Sequence, residues 1–184
     1  MIDLAKTFKM ICKIKSDINE HIPVLYDYGK RVNHITEFGV RNGRSTVAFQ
    51  YAAPKTLISY DINYCDINDR LLADFAEDDR PDFRFIQANT LDIEIEDTDL
   101  VFFDTFHSYT QLSKELALHG NKASRYLIFH DIVTFGVEGE DHKRPGIAAA
   151  IDEFVIANNH WTVEVMHTNN NGLLILKRKL RGQK

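Results

Sequence analysis

The segment Ile35-Thr-Glu-Phe-Gly-Val-Arg-Asn-Gly-Arg-Ser-Thr46 restricts this chain more than any other stretch. A short apolar run enters two glycines and leaves as a helix-forming stretch, the pattern of a strand, a tight turn and a helix start. Gly39 and Gly43 can take backbone angles that other residues avoid and let a ligand approach the main chain. The helix that follows offers unpaired N–H groups and the positive end of its dipole. Such a turn is suited to holding a ligand at the end of a strand.

Spacing excludes two common nucleotide turns. A phosphate-binding P-loop needs Gly, four residues and then Gly-Lys-Ser/Thr; here three residues separate the glycines and Arg44 replaces the lysine. The dinucleotide pattern Gly-x-Gly-x-x-Gly fails because position 41 is Arg41 and a third glycine is missing. What remains is Glu37-x-Gly39-x-x-x-Gly43, with a carboxylate just ahead of the first glycine.

Composition bounds the answer. A chain of 184 residues, 44% hydrophobic and 27% charged, suits one compact domain with a sizeable core. Cys12 and Cys65 are too few for a disulfide framework, and Asp3, Lys6 and Lys9 interrupt any apolar leader. No apolar run is long enough for a membrane helix, so the cytoplasm is the expected compartment and no membrane partner is expected. The net charge of -5 argues against a polyanion such as duplex DNA as partner. The basic cluster Lys177, Arg178, Lys179, Arg181 and Lys184 reads as a solvated tail.

Apolar residues at Leu4, Phe8, Ile11, Ile14, Ile18 and Ile22 keep to one side of a helix, with Pro23 breaking or restarting it. Residues 1–32 therefore read as a helical cap segment ahead of the main domain, 33–184. A helix over 45–53 is stopped by Pro54. Strands follow at 56–60, ending at Asp61, at 82–88, running into Asn89, and at 99–103, ending at Asp104. Between the first two, a polar turn leads to a helix over about 66–77. A helix over 108–121 has Ser108 as its N-cap, and a strand over 126–129 ends in His130-Asp131. Residues 134–146 are polar, irregular and the candidate for a mobile loop at the site. A helix over 147–158 and a hairpin of strands, 160–166 and 172–177, complete the chain, the hairpin turning at Thr168-Asn-Asn-Asn171.

This alternation predicts an α/β fold: a three-layer Rossmann-like sandwich with a mainly parallel seven-stranded sheet, helices on both faces and a C-terminal antiparallel hairpin. Ligands in such sheets bind beyond the carboxyl ends of the strands. Five predicted strands end there in a polar residue: Glu37, Asp61, Asn89, Asp104 and Asp131. Asp61 follows the glycine turn by about twenty residues, where nucleoside-binding sheets put a carboxylate for the ribose hydroxyls. Its other reading is the N-cap of the helix that follows.

The Glu37-x-Gly39-x-x-x-Gly43 element resembles the first motif of class I S-adenosyl-L-methionine-dependent methyltransferases, and the reversed last hairpin is similar to theirs. Within that class, Asp99-Leu-Val-Phe-Phe-Asp-Thr-Phe-His-Ser-Tyr109, Leu-Ile-Phe-His-Asp131 and Pro145-Gly-Ile-Ala-Ala-Ala-Ile-Asp-Glu-Phe154 resemble the methyltransferase 24 family. The family's usual small-residue step between Asp and His-Ser-Tyr is filled here by Thr105 and Phe106. The resemblance implies S-adenosyl-L-methionine as cofactor. Glu37, Gly39, Arg41, Gly43 and Ser45 would face its methionine part, Asp61 and Ile62 the ribose side, and Asn89 and Thr90 the adenine edge. Asp104 and His107 would lie near the reaction centre. No Asn/Asp-Pro-Pro-Tyr motif of amino-group nucleic-acid methyltransferases is present, so transfer to oxygen of a small-molecule or sugar-like acceptor is expected.

Methyl transfer is a displacement at a sulfonium, so the protein must align the reactants and handle the acceptor's proton. His107 and His130 are candidate bases because the imidazole pKa is ordinarily about 6.5. Asp104 and Asp131, at two strand ends, would share a Mg²⁺ that also binds the acceptor. A third ligand would come from His107 or His130, since the next residue, Ile132, cannot coordinate. The alternative function is a non-catalytic nucleoside-binding or scaffold protein that retains the fold. A homo-oligomer is the one assembly the sequence leaves open.

Overall fold

The computed structural model describes residues 3–64 and 82–179, so the helix expected over 66–77 lies outside the described residues. The chain divides into two compact units, Met1–Ile93 and Glu94–Lys184.

The first unit opens with helix α1, Leu4–Ile11, whose first turn is capped by the Asp3 carboxylate accepting from Lys6 N–H at 2.9 Å. Pro23 does not break a long helix but starts a second one, α2, Ile22–Gly29, where its missing N–H leaves no bond unmade. Both helices cover α3, Arg44–Ala52. Phe8, Tyr26 and Tyr51 seal that contact with ring centroids 4.7 to 5.1 Å apart. α3 starts after Gly43, in the left-handed region at φ 69°, and ends at Ala52, with Ala53 closing it at φ 56° just ahead of Pro54.

Three strands underlie these helices: β1, His34–Phe38; β2, Thr56–Asp61; and β3, Asp82–Gln87. They run parallel in the order β3-β2-β1, with Phe38 opposite Tyr60 and Asp61 opposite Gln87, so their carboxyl ends are level. Ile35, Phe38, Leu57 and Ile58 are buried, which explains why β1 and β2 read as apolar runs. A 3₁₀ turn, Thr90–Asp92, follows β3.

The second unit holds β4, Thr98–Phe103; α4, Tyr109–His119; a 3₁₀ turn, Gly120–Lys122; β5, Ala123–His130; α5, Ile147–Ala157; β6, Trp161–His167; and β7, Leu173–Arg178. β4 and β5 are parallel, and β7 runs antiparallel to both β5 and β6, giving the order β4-β5-β7-β6. Ser108 caps α4, accepting from Gln111 N–H at 3.2 Å. α4 is followed by Gly120, where a Cβ would come within 2.7 Å of the Phe154 ring on α5, so the bare backbone lets the two helices meet. Phe103 and Phe129 stack at 5.0 Å, locking β4 to β5 next to their carboxyl ends.

The seven strands form the expected mixed sheet, mainly parallel with a reversed C-terminal hairpin. No helix among the described residues is long and apolar enough to cross a membrane. Of the basic tail, Arg178 is half-buried and donates to Ala123 O at 2.8 Å, while Lys179 is exposed and donates to Asn159 O at 2.8 Å in the turn ahead of β6.

The hairpin turn is braced against β5's end. Gly172 sits at φ 93°, and a Cβ there would lie 2.6 Å from Val133 Cγ2 and 2.7 Å from Val133 N. Gly172→Ala is expected to lower stability by about 1–3 kcal/mol, read as a shift of the urea unfolding midpoint.

Candidate functional site

The glycine turn is held by two carboxylates. Glu37 is fully buried at the end of β1. Its Oε1 accepts from Ser45 Oγ–H at 2.6 Å, and its Oε2 accepts from Thr46 Oγ1–H at 2.8 Å and from Ser59 Oγ–H at 2.5 Å. The residue thus ties the first turn of α3 to β1 and β2. Asp61, at the end of β2, accepts through Oδ2 from Val40 N–H and Arg41 N–H, both at 2.9 Å, and through Oδ1 from Asn63 N–H at 2.8 Å. Gly39, Arg41 and Gly43 all have positive φ, at 88°, 48° and 69°. That left-handed path turns two successive amides toward one carboxylate oxygen.

Other residues expected at this turn have distinct neighbours. Arg41 reaches Asp17 at 2.6 Å, a partner with no sequence signature. Ile62 is 64% exposed. Asn89 caps the 3₁₀ turn, accepting from Leu91 N–H at 3.1 Å and donating to Asp92 at 2.9 Å, while Thr90 is buried.

In the second unit the chain brings Asp104, His107, His130 and Asp131 together just past β4 and β5. His107 Nε2 lies 3.2 Å from Asp104 Oδ1 and 3.3 Å from Asp131 Oδ2. His130 Nδ1 lies 3.1 Å from the same Asp104 Oδ1 and 3.5 Å from Asp131 Oδ1. Asp131 has φ 60°, a left-handed turn that Asp tolerates better than most residues and that directs the chain away from the sheet. The His107 ring stacks on Phe135 at 5.0 Å.

Three contributors were not foreseen. Glu140, from the 134–146 loop, places Oε2 3.2 Å from His107 Nδ1. Asn171, in the hairpin turn, hydrogen-bonds Asp131. Its carbonyl also accepts from Val133 N–H at 2.9 Å. Buried Glu115 on α4 accepts from Thr105 Oγ1–H at 2.9 Å and from Gln111 Nε2–H at 2.9 Å, fixing the step that Thr105 and Phe106 fill. The loop is irregular but not structureless: Glu140 N–H donates to His107 O, Gly139 N–H to Lys143 O and Gly146 N–H to Val137 O, each at 2.9 Å.

The electrostatics follow from crowding. Burial would lift Asp104, but hydrogen bonds from His107 and His130 outweigh it and hold this carboxyl far below its usual range. Burial also opposes charge on His107, yet Asp104, Asp131 and Glu140 together push it up to about 8. His130 is raised for the same reason, against its burial and mainly by Asp104. Asp131 is raised chiefly by burial. Among the described residues, Asp104, His107 and Asp131 also form a potential cation site, with one ligand atom from each within 4.8 Å of the others.

Two outcomes are expected. Glu37→Gln leaves one acceptor oxygen for three hydroxyls and should cost about 1–3 kcal/mol in urea unfolding. A raised imidazole pKa stabilises the fold below the ring's ordinary 6.5 and loses that contribution as pH rises through about 8. In chelator, the unfolding temperature should therefore fall across this interval, and His107→Gln should flatten the fall. Asp104, being depressed, contributes above its ordinary 3.8 and loses that contribution as pH falls below it.

No protein-family model and no curated protein sequence matches the chain. Solved structures do. A caffeoyl-CoA O-methyltransferase-like protein from Staphylococcus aureus is similar with a TM-score of 0.67 at 14% identity, over 97% of this chain and 93% of that one. An O-methyltransferase from Bacillus cereus, in complex with S-adenosylhomocysteine, gives 0.65 at 12% identity, over 97% and 92%. A methyltransferase from Podospora anserina, also with S-adenosylhomocysteine bound, gives 0.64 at 14% identity, over 98% and 89%. The fold of this chain is therefore the Rossmann-like fold of class I methyltransferases.

Proposed function

We propose that this chain is an S-adenosyl-L-methionine-dependent methyltransferase acting on a hydroxyl oxygen of a small-molecule or sugar-like acceptor, with a divalent ion held by Asp104, His107 and Asp131. The observation that carries the reading is the convergence of these three side chains past two strand ends. The methyltransferase fold and the motifs similar to the methyltransferase 24 family support it.

The residues of the glycine turn fit the cofactor. Gly39, Arg41 and Gly43 give a left-handed path whose amides already gather a carboxylate, Ser45 opens α3, and Asp61 stands beside the turn. Asp61 would share its oxygens with the ribose hydroxyls, exposed Ile62 would meet the adenosine face, and Asn89 and Thr90 would meet the adenine edge. Glu37, saturated by three hydroxyls, would shape the turn under the methionine part. S-adenosyl-L-methionine supplies a methyl group on a sulfonium, which calls for alignment and no covalent nucleophile.

The second cluster fits a divalent cation. Asp131 Oδ1 is buried and accepts no hydrogen bond, an oxygen suited to a ligand. Two carboxylates alone would suit Mg²⁺; the imidazole moves the preference toward Mn²⁺ or a neighbouring first-row ion. Such an ion lowers the pKa of a bound hydroxyl and orients it. His107 must give up its Nε2 proton to ligate, so ion uptake and proton release are linked. His130, with its side chain 1% exposed, would hold Asp104 Oδ1 in place rather than meet the acceptor.

Calorimetric titration with S-adenosyl-L-methionine and S-adenosylhomocysteine tests the cofactor: Asp61→Ala should weaken binding about 10- to 100-fold. No binding by the unaltered protein would remove the reading. Binding without turnover on any hydroxyl acceptor would favour the scaffold alternative. For the ion, Asp104→Asn and Asp131→Asn should abolish Mn²⁺ dependence, whereas full turnover in excess chelator would exclude the ion from the reaction.

A further inference from the structure

We infer that Glu140 is a positioning residue: it accepts a hydrogen bond from Nδ1–H of His107, keeps the proton on that nitrogen and so commits Nε2 of the ring to the ion. The inference rests on the reading of Asp104, His107 and Asp131 as ion ligands. An imidazole offers two nitrogens, and which one carries the proton is set by the hydrogen bond the other makes. Here Nε2 faces the two aspartates at 3.2 and 3.3 Å, while Nδ1 faces Glu140 Oε2 at 3.2 Å. Stacking on Phe135 fixes the plane of the ring, and the carboxylates facing both nitrogens favour this orientation over the one flipped in that plane.

Glu140 is itself held in place by the residue it orients. His107 N–H donates to Glu140 Oε2 at 3.3 Å, and Glu140 N–H donates to His107 O at 2.9 Å. The approach is close enough that a Cβ on the preceding Gly139 would come within 3.0 Å of His107 O. A backbone tie alone would hold the loop. The carboxylate, 45% exposed and free to turn to water, instead closes on the ring.

With the Nε2 side occupied by a cation, Nδ1–H is the ring's remaining donor, and Glu140 is the acceptor opposite it. A carboxylate behind a ligating histidine fixes its tautomer and raises its basicity, and loss of such a partner typically weakens metal binding 10- to 100-fold.

The test is a Mn²⁺ titration of chelator-treated protein, comparing the unaltered chain with Glu140→Ala and Glu140→Gln. Glu140→Ala should weaken Mn²⁺ binding about 10- to 100-fold, and Glu140→Gln, whose amide oxygen still accepts from Nδ1–H, should stay within about threefold of the original. In the Zn²⁺-loaded protein, ¹⁵N NMR of His107 should report a protonated Nδ1 and a liganded Nε2. Mn²⁺ binding unaffected by Glu140→Ala would overturn the role of Glu140 and leave the ion site standing. No Mn²⁺ binding by the unaltered chain would overturn both. A Zn²⁺-loaded His107 protonated on Nε2 would overturn the role even where Glu140→Ala failed to fold.

Discussion

Glu37 sets the geometry of the first unit because a fully buried carboxylate is tolerated only when its oxygens are answered. The answers come from Ser45 and Thr46 in the first turn of α3 and from Ser59 on β2. Hydrogen bonds to a charged group contribute about 1.5–3 kcal/mol each, more than neutral ones, so the three donors are not interchangeable with apolar residues. They fix where α3 begins. Once that is fixed, Gly39 to Gly43 must cover the gap from β1 in a few residues, and the left-handed backbone at Gly39, Arg41 and Gly43 follows. Asp61 then binds the turn from the other side through the Val40 and Arg41 amides.

Asp104 presents the opposite situation. Its Oδ1 is shared by two imidazoles, and Asp131 and Glu140 stand close by, so three carboxylates surround two rings. Protonation of the rings relieves the excess negative charge, which is why His107 is pushed up to about 8. A cation would relieve it equally. The first carboxylate site is closed and structural; the second is balanced by protons that another positive charge could displace.

The strands and the polar ends of β1, β2, β4 and β5 were legible because apolar runs and their boundaries are local signals. Asp104, His107, His130 and Asp131 were therefore identifiable as candidates, but the sharing of Asp104 Oδ1 by the two imidazoles depends on the register of β4 and β5, Phe103 opposite Phe129, which no local pattern carries. Ser59 left a trace, a polar residue inside a buried strand. Asp17, Asn171 and Glu115 left none, since each reaches its partner through tertiary packing. The helix boundary at Pro23 was readable in position, with break and restart both left open, and the proline starts α2.

Glu140 was hidden among Glu138, Asp141, His142, Lys143 and Arg144, all of them charged or titratable. The glycines around it were the better clue. A Cβ on Gly146 would collide with Phe135 O, and one on Gly139 would press on His107 O. Those positions need bare backbone because the loop folds tightly on itself while passing the histidine. The irregular composition of 134–146 thus reflects a demand for close approach at one residue, and the side chain delivered there is the one that faces Nδ1.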